Sequence, residues 1–93
     1  MTYRVGVLLS VVSVAVALAA PAAADEDEFV RAMRTTYAFL TDQQLRSAGA
    51  KICSTLRSGT PASEAVIMVS NDLSVSVSAA GEIVSAAVVQ LNC

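Results

Sequence analysis

The apolar run from Val5 to Ala20, broken only by Gly6, Ser10 and Ser13, constrains this chain more than any other feature. It follows a short basic start, Met1 to Arg4, and ends at Pro21. Ala22-Ala23-Ala24 then places small residues at both positions a signal peptidase reads, and the acidic stretch Asp25-Glu26-Asp27-Glu28 follows at once. The pattern predicts a cleavable secretory signal peptide over residues 1–24, cut after Ala24, and one exported domain over residues 25–93. A membrane anchor is the competing reading, but the run is shorter than the ~20 apolar residues a spanning helix needs. No cysteine follows directly after it, so the acceptor for bacterial lipid attachment is missing.

Removing that segment changes the bulk properties. It holds 18 of the hydrophobic side chains and leaves 33 in the remaining 69 residues, a share that suits a soluble globular domain with no stable membrane anchor. Arg4 leaves with it, so five basic residues face eight acidic ones. Nucleic acid is excluded as a partner, because its affinity comes from Lys and Arg neutralising phosphates, and anionic lipid surfaces are disfavoured for the same reason. A chain this short forms one domain and buries only about 60% of its unfolded surface, so it needs a staple.

Cys53 and Cys93 offer one, since two cysteines in an oxidising compartment permit a single internal pairing. Closing a loop of about 41 residues limits the unfolded chain by up to about 4 kcal/mol. An intermolecular bridge through Cys93 and a reactive thiol are the alternatives. Neither cysteine sits in a Cys-x-x-Cys pair and no histidine is present to activate one, which favours a structural role.

The periodicity predicts an all-α fold, a small four-helix domain. Phe29, Met33, Tyr37 and Leu40 share one face of a first helix, with Asp25 to Glu28 in its first turn, where carboxylates oppose the positive end of the helix dipole, and with Asp27 paired to Arg31. Thr41-Asp42-Gln43-Gln44 has the form of a capping box opening a second helix, whose stripe is Leu45, Gly49, Ile52 and Leu56, with Cys53 at its edge and Gly59 as a left-handed C-terminal cap. Gly49 in mid-helix suggests that another backbone comes close. Thr60 is expected to cap a short third helix over about residues 61–70, with Pro61 at its first position and Ala62, Val66, Val69 and Leu73 facing inward. Asn71-Asp72 reads as a turn. Ser74 to Ser78 alternates like a strand, but Val77, Ala80, Val84, Ala87, Val88 and Leu91 keep helical spacing, which gives a fourth helix from about Ser76 to Leu91. Ser74, Ser76 and Ser78 are each able to cap it.

The search for chemistry returns absences. Without histidine the Ser-His and Cys-His nucleophile systems and the usual zinc, copper and haem ligand sets are excluded. The acidic segment lacks the ligand spacing of a calcium loop, and Gly49, Gly59 and Gly81 are too dispersed for a phosphate loop. Glu64 with Glu82 as paired carboxylates, and a serine with Lys51, are the residual catalytic options; Tyr37 and Lys51 read better as a helix-face aromatic and a solvated charge. No enzymatic activity and no cofactor are expected. The apolar residues beyond the inward stripes, Ile67, Met68 and Val89, mark a candidate interaction surface, since methionine adapts to irregular partners.

The chain resembles a family of small exported mycobacterial and actinobacterial proteins, the domain of unknown function 732 family. The likeness spans the region after the signal. It rests on Asp27-Glu28-Phe29, on Ala48-Gly49-Ala50-Lys51-Ile52-Cys53 with Leu56 and Gly59 after it, and on a second cysteine closing the last helix. It implies a compact helical domain with one disulfide, carried onto Cys53 and Cys93, and supplies no activity. Members often have an aromatic residue before the last cysteine, where this chain has Leu91-Asn92-Cys93. The leading expectation is a non-catalytic protein, secreted or held in the cell envelope as a monomer or weak dimer, that binds a protein or an apolar small molecule. A secreted effector or antigen acting on a host and a thiol-dependent redox protein are the alternatives.

Overall fold

The computed structural model describes residues 24–93; apart from residue 24, the expected signal peptide lies outside the described residues. Four helices and no strand occur among the described residues: α1 over residues 24–36, α2 Asp42–Arg57, α3 Ala62–Leu73 and α4 Val77–Gln90. The all-α expectation holds. Several boundaries move.

Helix α1 stops before Tyr37, so Tyr37 and Leu40 reach the core from the turn that follows rather than from the helix itself. The turn is closed by the Tyr37 amide donating to Met33 O at 2.8 Å and the Leu40 amide donating to Tyr37 O at 3.0 Å. The capping box of α2 forms as expected. Thr41 Oγ1 accepts from the Gln44 amide at 3.1 Å, and Gln44 Oε1 accepts from the Thr41 amide at 2.9 Å. At the other end Gly59 takes φ +95°, its amide donating to Leu56 O and the Thr60 amide to Thr55 O, the two reversed bonds of a Schellman motif.

Helix α3 departs from expectation at both ends. Pro61 is its N-cap, not its first helical residue, and no side chain caps it. Asn71 and Asp72 lie inside the helix, which ends only at Ser74, in the left-handed region at φ 55°. The chain then turns by 115° into α4, capped by Ser76 Oγ accepting from the Ala79 amide at 3.1 Å. Of the three candidate serines, the one with the capping bond is two residues past the reversal.

The core gathers Phe29, Val30, Tyr37 and Leu40 with Leu45, Ile52, Ala65, Val69, Ala80, Ile83, Val84 and Ala87. The inward face of α3 centres on Ala65 and Val69, leaving Ala62 exposed, and that of α4 on Ala80, Ile83, Val84 and Ala87, leaving Val77 and Val88 outward. Periodicity places Val69, Ala80, Val84 and Ala87 correctly; the differences are Ala62, Val77 and Val88, which face outward, and Ala65 and Ile83, which take buried positions. The bond between Cys53 and Cys93, with Cα atoms 5.3 Å apart, ties the end of the chain to α2. Asn92, at φ 57°, reverses the chain after α4 so that Cys93 returns to meet Cys53.

Gly49 is buried, as a close approach requires, but its neighbours are side chains instead of a second backbone. A Cβ there would lie 2.9 Å from Leu91 Cδ1 and 3.1 Å from Phe29 Cε2. The expected pair between Asp27 and Arg31 is replaced by a bridge between helices. Arg46 of α2 donates to Glu26 at 2.8 Å and to Asp27 at 2.7 Å, binding the start of α1 to the middle of α2.

Candidate functional site

Helices α2 and α3 run antiparallel, since Thr55 reaches Met68 and Lys51 reaches Asp72. They leave a groove of about 350 Å³ between them. One wall comes from α2, where Gln43, Ser47 and Lys51 follow at intervals of four and therefore stack on one face, joined by Gln44 and Ala48. The opposite wall is apolar: Met68, Val69 and Leu73 of α3. Lys51 Nζ donates to Asp72 Oδ2 at 2.7 Å across the groove. That pair is exposed and contributes little to stability, but it neutralises both charges at the rim.

Met68 is half-buried here. The Thr55 hydroxyl donates to its sulfur at 3.7 Å, and the side chain packs against the core edge, so it is a wall residue and not an isolated surface methionine. Ile67 is 54% exposed and Val89 79% exposed, on α3 and α4 respectively. Neither lines this groove. The three residues expected to form one surface therefore divide into a groove residue and two outward positions.

The residual catalytic options acquire other partners. Lys51 is committed to Asp72, and although Ser47 lies one turn away in the same groove, the lysine makes no hydrogen bond to it. Glu82 accepts a hydrogen bond from the Tyr37 hydroxyl, which ties the turn after α1 to α4. That bond, with burial and the facing carboxylate adding to it, raises the Tyr37 pKa above the ordinary tyrosine value. Glu64 is exposed in the first turn of α3. No group of three or more metal-ligating side chains occurs among the described residues.

Two broader concavities flank α1. One, of about 580 Å³, is lined by Arg31, Arg34 and Arg46 with Asp27 and Asp42, and two of its arginines are held by those acids, Arg34 to Asp42 at 2.8 Å and Arg46 to Asp27 at 2.7 Å. The other, of about 590 Å³, runs past Phe29, Gly49 and Cys53 to Arg57, Leu91 and Asn92. Both carry mixed charge.

Phe39 is the side chain that periodicity passed over. It is 69% exposed, and its ring stands edge-on to Tyr37, at 6.4 Å between centroids and 89° between planes. The signal was available: Phe39 falls out of phase with Phe29, Met33, Tyr37 and Leu40, and a phenylalanine outside the inward stripe faces water.

Residues 24–93 match the family described as Protein of unknown function (DUF732). No curated protein and no solved structure matches the chain.

Proposed function

The chain belongs to the DUF732 family, and from that premise we propose that it is an exported, non-catalytic binding domain whose ligand-facing feature is the α2–α3 groove. The groove carries this reading. It sets an apolar wall of Met68, Val69 and Leu73 against an uncharged polar wall of Gln43, Gln44 and Ser47, with its one ion pair internally satisfied. Apolar lining with a few placed polar groups is the usual character of a ligand site, and a volume of about 350 Å³ stands near the lower bound of about 300 Å³ for such sites. The occupant is therefore a single apolar side chain of a protein or a small apolar molecule, too small to be a lipid carried whole. Export is supported by the sequence of residues 1–24, and it puts Cys53 and Cys93 where a disulfide persists. Burial of Cys53 within α2 supports a structural bond in preference to thiol exchange.

The test is saturable binding of an uncharged dye, N-phenyl-1-naphthylamine, by the exported protein. Binding is expected to fall at least about tenfold when Ser47→Arg crowds the polar wall, a loss worth about 1.4 kcal/mol. Dye that binds without saturation, or equally to the variant, overturns the groove as the site. Intact mass of the exported protein, expected to begin at Asp25, checks the processing.

A further inference from the structure

Leu91 closes the last turn of α4, its amide donating to Ala87 O at 2.9 Å, and its side chain fills a notch that Gly49 leaves in α2. The fit depends on the glycine. A Cβ at position 49 would stand 2.9 Å from Leu91 Cδ1 and 3.1 Å from Phe29 Cε2, so the leucine and the buried ring meet where that atom is missing. Beyond the Leu91 amide, no main-chain hydrogen bond holds the segment among the described residues. Asn92 turns the chain at φ 57°, and Cys93 is bonded to Cys53, one helical turn along α2 from Gly49. Leu91 is thus kept in its notch by its own packing and by a covalent tether two residues away. Phe29, Gly49, Cys53, Leu91 and Asn92 also line one concavity of about 590 Å³, so the leucine sits at the edge of space already open.

We propose that residues 91–93 are a redox-controlled strap. The Cys53–Cys93 bond holds Leu91 in the Gly49 notch, and reduction by a dithiol releases it, opening an apolar slot beside Phe29 while the four helices stay folded. Cys53 is buried and Cys93 half-buried, so the reductant's thiolate attacks the Cys93 sulfur and Cys53 leaves as a thiolate that takes up a proton. The reductant's second thiol then displaces Cys93 from the mixed disulfide. Two electrons pass to the protein, both cysteines end as thiols, and the dithiol ends as a cyclic disulfide. Release is local because the segment freed is the one with fewest bonds to the rest, the end of the stability range from which moving parts are drawn.

Dithiothreitol is the reductant for the test and N-phenyl-1-naphthylamine the probe of the slot. Reduction is expected to leave the far-ultraviolet helical signal in place, to raise amide exchange at Leu91 at least about tenfold, and to add saturable dye binding absent from the oxidised chain. Gly49→Val fills the notch, so its reduced form is expected to gain no dye site. The same valine displaces Leu91 in the oxidised form, and by linkage it is expected to be reduced at a lower dithiothreitol concentration than the unsubstituted chain. Leu91→Ala opens the slot with the bond intact and is expected to bind the added dye without reductant. Loss of helix on reduction overturns the proposal, as does reduction that leaves Leu91 exchange and dye binding unchanged. A dye site that Gly49→Val retains, or that Leu91→Ala does not produce, overturns the slot beside Phe29. Dye binding in the α2–α3 groove is present before reduction and is blocked by Ser47→Arg, which keeps the two sites distinguishable.

Discussion

Three glycines with three different surroundings separate the effects that a single substitution combines. At Gly59, φ +95° and open space around a Cβ make strain the only penalty, so Gly59→Ala is expected to lower stability by about 1–2 kcal/mol. Gly81 lies inside α4 with nothing near a Cβ, and Gly81→Ala is expected to raise stability by up to about 1 kcal/mol through helix propensity. Gly49 combines both influences. Alanine gains the same propensity but must displace Leu91 Cδ1, the far end of a flexible side chain, and nudge the Phe29 ring, so Gly49→Ala is expected near neutral and Gly49→Val destabilising by about 1–3 kcal/mol. Urea unfolding of the three alanine variants, ranked Gly81, Gly49, Gly59 from most to least stable, checks the order. Tyr37 adds a pH dependence. Its pKa is raised in the folded chain, so the stability it contributes is fully present below about pH 10 and is lost as pH rises through the higher folded value. Alkaline unfolding of Tyr37→Phe is expected to show a shallower fall above pH 10 than the unsubstituted chain.

Among the helices, what the sequence made legible was whatever is decided within a few residues. The capping box at Thr41 and Gln44 and the left-handed glycine at the end of α2 are local bonds between near neighbours, and both form as read. The end of α3 was misplaced because Asn71 and Asp72 have turn chemistry, yet on an exposed helix face polar residues need no turn, and Asp72 is used to reach Lys51. The reversal falls instead on Ser74, a residue poorly suited to φ 55°. Ser74→Gly is therefore expected to stabilise the domain by about 0.5–1 kcal/mol, the relieved strain less the entropy of the added glycine, measurable as a shift of the urea midpoint. The flanking members of the α3 and α4 stripes differ for another reason. Whether Ala65 or Ala62 is buried depends on where α3 crosses its neighbours, and small residues at a crossing are buried because they permit close approach. The bond from Tyr37 to Glu82 spans 45 positions, and the sequence alone offers nothing that pairs them. The groove was half legible: Met68 was singled out, but its opposite wall is drawn from α2.

For the molecule as a whole, the Cys53–Cys93 bond is expected to dominate stability, because a domain of four short helices buries only a small core. Replacing both cysteines with alanine is expected to lower unfolding free energy by about 2–4 kcal/mol, read from urea unfolding of the two forms. The clamp that Arg46 places on Glu26 and Asp27 bears on the proposed processing of the chain. Residue 24 is already helical, and the proposed cut after Ala24 lies two residues from the first carboxylate that Arg46 holds. A protease reads extended chain, and a helix gripped by its neighbour supplies that only on local opening. If the proposed leader is cut there, its removal precedes the docking of α1 on α2. Arg46→Ala is expected to quicken cleavage of pre-folded precursor by signal peptidase while leaving cleavage of unfolded precursor unchanged; on this proposal the two exposed bridges, which add little to stability, bear instead on the timing of processing.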